Sequence, residues 1–184
     1  MNNFLESQIR LFQYYKSLAD KSIAVLTDEQ LSFSLNENSN SIHVIMHHLS
    51  GNMLSRWTDF LTTDGEKSWR NRDSEFEVQI DIEAVKNRWE VGWKCLFDTL
   101  NDLTVMDLDK IVYIRNQGQT VMDAINRQVA HYAYHIGQIV YLAKYLRNEE
   151  WVSLSIPKNK SKDYNYEKFS LEKNRTNFTD EFLI

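Results

Sequence analysis

An all-α protein, a four-helix bundle with a short β-arm before its last helix, is the fold class the sequence predicts, on three observations. Four long segments carry apolar residues at helical spacing. Glycine and proline are scarce: there are 5 Gly and 1 Pro in 184 residues, where average usage would give roughly 22. The glycines (Gly51, Gly65, Gly92, Gly118 and Gly137) also lie far apart. That spacing excludes a Walker A loop and a Gly-x-Gly-x-x-Gly turn, which need clustered glycines, and weighs against a turn-rich β-sandwich.

The first helix is expected from Asn3 to Leu26, with Phe4, Leu11, Tyr15 and Leu18 on its inward stripe and Leu5 and Phe12 widening it. Thr27-x-x-Gln30 reads as a capping box opening a short piece to Phe33, and Asn36 to Asn40 as a loop. Ser41 is the N-cap expected for a second helix running to Thr62, with Ile42, Leu49, Met53, Trp57 and Phe60 inward. From Asp64 to Gln79 the pattern breaks into charge of both signs, yet Trp69 and Phe76 make this more than a solvated linker. Asp81 caps a third helix whose apolar set is Ile82, Val85, Trp89, Trp93, Leu96 and Leu100.

Within the connection that follows, the β-branched run Lys110 to Ile114 suits a strand or hairpin arm, with a turn at Asn116 to Gly118. Thr120-x-x-Asp123 caps the fourth helix, expected to reach Asn148 with Val121, Ile125, Val129, Tyr132, Ile136, Ile139 and Ala143 inward. Gly92 and Gly137 inside helices each cost about 1 kcal/mol. Close helix packing is the first explanation for both, and room beside a metal a second one for Gly137. The bundle thus occupies residues 1–151. Residues 152–184 form a tail without periodicity, draped over the bundle through Tyr164, Tyr166 and Phe169.

Charge and composition narrow the function classes. The net charge of −5 argues against nucleic acid as the main partner. No apolar run approaches the roughly 20 residues of a membrane span. A start without an apolar core and a lone Cys95 make a reducing cytoplasm the expected compartment. Cys95, inside a regular helix, reads as inert.

All five histidines fall on two predicted helices: His43, His47 and His48 on the second, His131 and His135 on the fourth. The i, i+4 spacing of His131 and His135 puts both imidazoles on one face, one turn apart, on the flank of the apolar stripe. A metal needs at least a third ligand, and the second helix is the only other source of histidine. Periodicity leaves the choice there open: His47 and His48 flank the stripe on opposite sides, and His43 and His47 form a competing i, i+4 pair. The sequence contains neither His-Glu-x-x-His nor Glu-x-x-His, so zincin and ferritin-like carboxylate sites are excluded.

The runs SIHVIMHHLSGN (41–52) and AHYAYHIGQ (130–138) resemble the DinB-like superfamily of metal-dependent four-helix bundles. WTDFLTTDGEK (57–67) with WRNRD (69–73) resembles an uncharacterised branch of it. The resemblance spans roughly residues 1 to 150 and leaves out the tail. It implies that the histidine before Leu, His48, joins His131 and His135 as metal ligands. His43 and His47 then become surface residues or neighbours behind the ligands. It also implies a function like those of relatives that are thiol S-transferases using bacillithiol or a similar low-molecular-weight thiol, and a homodimer.

Three neutral histidines leave a +2 charge uncompensated and a coordination position open, which suits catalysis on a small-molecule substrate. Such a site activates a thiol or a water. Zinc or nickel is expected ahead of iron or manganese. Asn52, Gln128 and Gln138 are candidates to orient ligands or bind substrate, and Arg70 and Arg72 to hold an acidic cofactor at the mouth. The competing expectations are a non-enzymatic metal-binding or partner-docking bundle, a metal-dependent hydrolase on the same site, and a metal-free bundle used only for assembly.

Overall fold

The computed structural model describes residues 3–77 and 81–183. Val78 and Gln79, the end of the segment expected to break the helical pattern, lie outside the described residues. The described chain is mostly helical: α1 (Asn3–Ile23), α2 (Asp28–Leu31), α3 (Ile42–Trp57), α4 (Ile82–Asp102), α5 (Val121–Arg147) and α6 (Ser161–Phe169), with a two-stranded sheet of β1 (Ile111–Ile114) and β2 (Gln117–Thr120). No helix among the described residues is long and apolar enough to cross a membrane.

The caps sit where side-chain chemistry places them. Thr27 and Gln30 make both bonds of a capping box at α2. Ser41 Oγ accepts from Val44 N at 3.2 Å, Asp81 from Glu83 N and Thr120 from Asp123 N, opening α3, α4 and α5. The four long helices share one core, α3 packing mainly on α4 and α1 on α5. Phe12, Trp57, Trp93 and Tyr132 meet at its centre, with ring centroids 5.7–6.1 Å apart for Phe12–Tyr132, Trp93–Tyr132 and Phe12–Trp57. Gly92 brings α4 against α3: a Cβ there would come within 3.3 Å of Ser50 Cα.

Several expectations are corrected. In α1 the buried apolar positions are Leu5, Phe12 and Ala19, whereas Phe4, Leu11, Tyr15 and Leu18 are only partly buried. The stripe expected merely to widen the face is its centre. Helix α3 stops at Trp57 instead of Thr62: Thr58 is extended and Asp59 takes a φ of 49°. This reversal folds Phe60 back onto Trp57, ring centroids 5.0 Å apart. The hairpin turn is Arg115–Asn116, and Gly118 lies within β2 opposite Tyr113. Around Gly137 an added Cβ would meet nothing within 4 Å, so close packing does not explain that glycine.

The tail contains helix α6, whose Tyr166 and Phe169 are exposed rather than packed. Its contact with the body runs instead through Phe178 and Phe182 against Tyr14, and through Asp180 on Arg10.

One feature of α3 positions the site. Every residue from Ile42 to Trp57 except Leu54 is buried, although its sequence includes three histidines, Asn52 and Arg56. Helices α4 and α5 cover the apolar sides. The polar side lies under the segment that follows α3, including a 3-10 turn at Asp73–Phe76.

Candidate functional site

Three histidines converge between α3 and α5. His48, His131 and His135 each offer a ring nitrogen, and these nitrogens all lie within 4.8 Å of one another. Ring centroids stand 4.8 Å apart for His131–His135, 5.1 Å for His48–His135 and 5.5 Å for His48–His131. The i, i+4 pair meets edge to face on one side of α5, and α3 supplies the third imidazole from across the helix interface. His47 and His43 are not part of the cluster. Both are buried, and His47 Nδ1 donates to the backbone carbonyl of Glu75 at 3.2 Å.

Glu75, which the sequence reading did not single out, organises the α3 side. His48 Nδ1 donates to Glu75 Oε2 at 2.9 Å, which leaves His48 Nε2 as the lone-pair nitrogen. Arg70 grips the same carboxylate side-on with one edge of its guanidinium, Nε to Oε1 at 2.7 Å and Nη2 to Oε2 at 2.8 Å. The side chains of Glu75 and Arg70 are 3% and 1% exposed, so this charge pair is desolvated and depends on its bidentate geometry. Burial opposes ionisation of Glu75, but the hydrogen bonds from His48 and Arg70 outweigh it and hold its carboxyl below the ordinary range. Phe76 lies against the His48 ring with centroids 4.9 Å apart.

Gly51 makes room for this. One turn beyond His48 on α3, a Cβ at Gly51 would lie 2.1 Å from Glu75 Oε1. A mid-helix glycine was the signal in the sequence that something approaches α3 closely there.

The α5 imidazoles are held neutral. Burial, with the cost of placing a proton beside His135, His48, Arg56 and Arg70, lowers His131 to about 3. Burial and His48 lower His135 to about 4, with the Gln138 side chain opposing. His135 Nδ1 is buried without a hydrogen-bond partner among the described residues. Two neutral imidazoles, one with an orphaned nitrogen, and a third whose tautomer a carboxylate fixes form a donor set compatible with a divalent metal ion.

The cluster opens into a cavity of about 470 Å³. Of the other candidates, Asn52, Arg70, Arg72 and Gln128 line it. Asn52 Oδ1 accepts from Tyr132 Oη at 3.1 Å, and Tyr132 Oη accepts from Trp57 Nε1 at 3.1 Å, which ties the cavity wall to the aromatic core. Arg70 is committed to Glu75, while Arg72 is exposed over the Phe76 ring. Gln138 stands beside His135 and not on the cavity wall. Arg56, Arg115, Arg127, Tyr134 and Phe76 complete the lining, none of them proposed from sequence as site residues.

A family model described as "Protein of unknown function (DUF1572)" matches residues 1–160, a span that contains the three histidines, Arg70 and Glu75. No curated protein matches the chain.

Two outcomes follow. Gly→Ala inside a helix normally adds about 1 kcal/mol of stability. Gly51→Ala is expected to reverse that sign and lose about 2 kcal/mol, because Glu75 must leave the groups that pin it. Chemical denaturation checks this, and unchanged or raised stability contradicts it. The metal-free protein should also lose stability as pH falls. The folded-state pKa values of His131 and His135, about 3 and about 4, lie below the ordinary 6.5. The unfolded chain therefore binds more protons in that window, and the stability present above pH 6.5 is lost between there and about 3. His43 and His47, lowered by burial, act in the same direction. Melting temperatures across this range should fall less steeply in His131→Asn/His135→Asn, and an equal slope in both proteins contradicts the reading.

Proposed function

The chain belongs to the DUF1572 family, and we propose that it is a metal-dependent enzyme of the DinB-like four-helix-bundle type, acting as a thiol S-transferase on a small-molecule substrate. The observation that carries this reading is the convergence of His48, His131 and His135, with the tautomer of His48 fixed by Glu75. Zinc or nickel suits an all-imidazole donor set first, with iron or manganese next. A divalent ion bound there supplies Lewis acidity that lowers the pKa of a thiol or water brought to it.

The chain's own residues do the rest. Glu75 accepts the Nδ1 proton of His48 and keeps Nε2 turned to the cluster, and Arg70 holds Glu75 in place. Burial keeps His131 and His135 unprotonated at neutral pH, so their lone pairs are available without competition from protons. Phe76 shields one side of His48 from water. The adjoining cavity favours turnover over metal storage, since about 470 Å³ falls within the range of small-molecule sites. A hydrolase would use the same three histidines with water in place of the thiol.

The test is metal analysis of the purified full chain, followed by assay of the metal-loaded protein with low-molecular-weight thiols and electrophiles. Wild type should retain a divalent metal stoichiometrically and His131→Ala/His135→Ala should not. Glu75→Gln should bind it about 10- to 100-fold more weakly while remaining folded. Equal, near-zero occupancy in wild type and double variant contradicts the metal site. Full occupancy without turnover of any thiol contradicts the transferase.

A further inference from the structure

The cavity over the three histidines is more cationic than the histidines account for, and we propose that it takes a small substrate bearing more than one oxyanion group, carboxylate or phosphate, gripped by Arg72, Arg115 and Arg127. This rests on the metal-centre reading for where the reacting end of the substrate lies; the grip stands on the arginines.

Five guanidinium groups line the cavity, those of Arg56, Arg70, Arg72, Arg115 and Arg127, and no carboxylate among the described residues does. Two of them are used internally. Arg70 holds Glu75, and Arg56 donates to the Gly65 carbonyl and to Glu66 Oε2 at 3.3 Å. Glu66 is shared, since Arg115 Nη2 also approaches it at 2.9 Å and Arg70 Nη1 lies 3.8 Å from its other oxygen. One carboxylate thus faces three guanidiniums. Arg72 and Arg127 have no ion-pair partner among the described residues, and Arg72 is steadied over the Phe76 ring, 5.2 Å from its centroid. A ring under its face leaves the N–H edges of a guanidinium free for an anion.

The three clamp residues come from separate parts of the chain: the segment covering α3, the hairpin turn and α5. Arg115 occupies an expensive position for its type. It is the first residue of a two-residue turn with φ 54°, followed by Asn116 at φ 60°, where Asn, Asp and Gly are usual. Asp64 fastens this turn, accepting from Arg115 N and Asn116 N at 2.8 Å each. The hairpin is therefore held with an arginine at the cavity.

Gln128 supplies an independent observation. It is 4% exposed, lines the same cavity, and its Oε1 has no hydrogen-bond partner among the described residues. An amide oxygen so buried ordinarily has a partner, and a ligand hydroxyl or N–H entering the cavity would supply one. The chain as a whole carries a net charge of −5, so the arginine cluster is a local concentration and not part of a basic surface. Its confinement to a cavity favours a small molecule over a polymer.

Calorimetric titration of the full chain at low salt, metal-free and zinc-loaded, tests the proposal with glutarate, propane-1,3-diyl bisphosphate and the neutral glutaramide. At least one anion should bind ten times or more tightly than glutaramide in both forms, and whichever binds more tightly assigns the oxyanion type. Arg72→Gln, Arg115→Gln and Arg127→Gln should each weaken that anion about tenfold, with zinc content and melting temperature retained. Anions binding no better than glutaramide, or with equal affinity in wild type and all three variants, would overturn the clamp. Full zinc occupancy without anion preference contradicts the clamp alone; anion preference in a chain that binds no zinc contradicts the metal centre alone.

Discussion

The buried Glu75 carboxylate is the constraint on which the rest of the site depends. A single carboxylate cannot lie at 3% exposure unless its charge is met. Here Arg70 meets it along both oxygens and His48 meets it on one. Those bonds fix the covering segment to α3, fix the tautomer of His48 and explain why Gly51 has no side chain. They also explain how a helix carrying three histidines, an asparagine and an arginine becomes buried nearly all round. The polar face of α3 is hidden by a segment that brings its own charges with it.

The surrounding electrostatics run in one direction. Glu75 and Glu66 are tied up by arginines, which leaves the cavity beside the histidines positive. That field adds to burial in keeping His131 unprotonated. Neutral imidazoles and positive surroundings suit a site whose incoming group is an anion or a thiol giving up its proton. Rigid helices supply the donor atoms, while a fastened turn and an ordered covering segment supply the charges around them.

Much of this was legible in the chain. The caps at Thr27, Ser41, Asp81 and Thr120 were, because a cap is a contact over two or three residues and leaves a local pattern. The pairing of His131 with His135 was also legible, since one turn of helix brings them together. Periodicity alone left His47 and His48 equivalent, because it gives the angle around α3 but not which neighbour covers each flank. The resemblance favoured His48, and the structure places that residue beside the α5 pair.

Glu75 was not legible. It lies 27 residues beyond its partner His48, in a segment with no periodicity, among several other acidic residues. The position of the hairpin turn was missed for a related reason. Gly118 drew the turn toward itself, whereas Arg115 and Asn116 take the positive φ values under the hold of Asp64, a contact 51 residues distant for Arg115. The most direct measurement of the central claim is X-ray absorption spectroscopy of the zinc-loaded full chain. The account predicts outer-shell scattering from three imidazoles at the metal. Zinc bound by fewer than three imidazoles, or by sulfur and carboxylate alone, would contradict it.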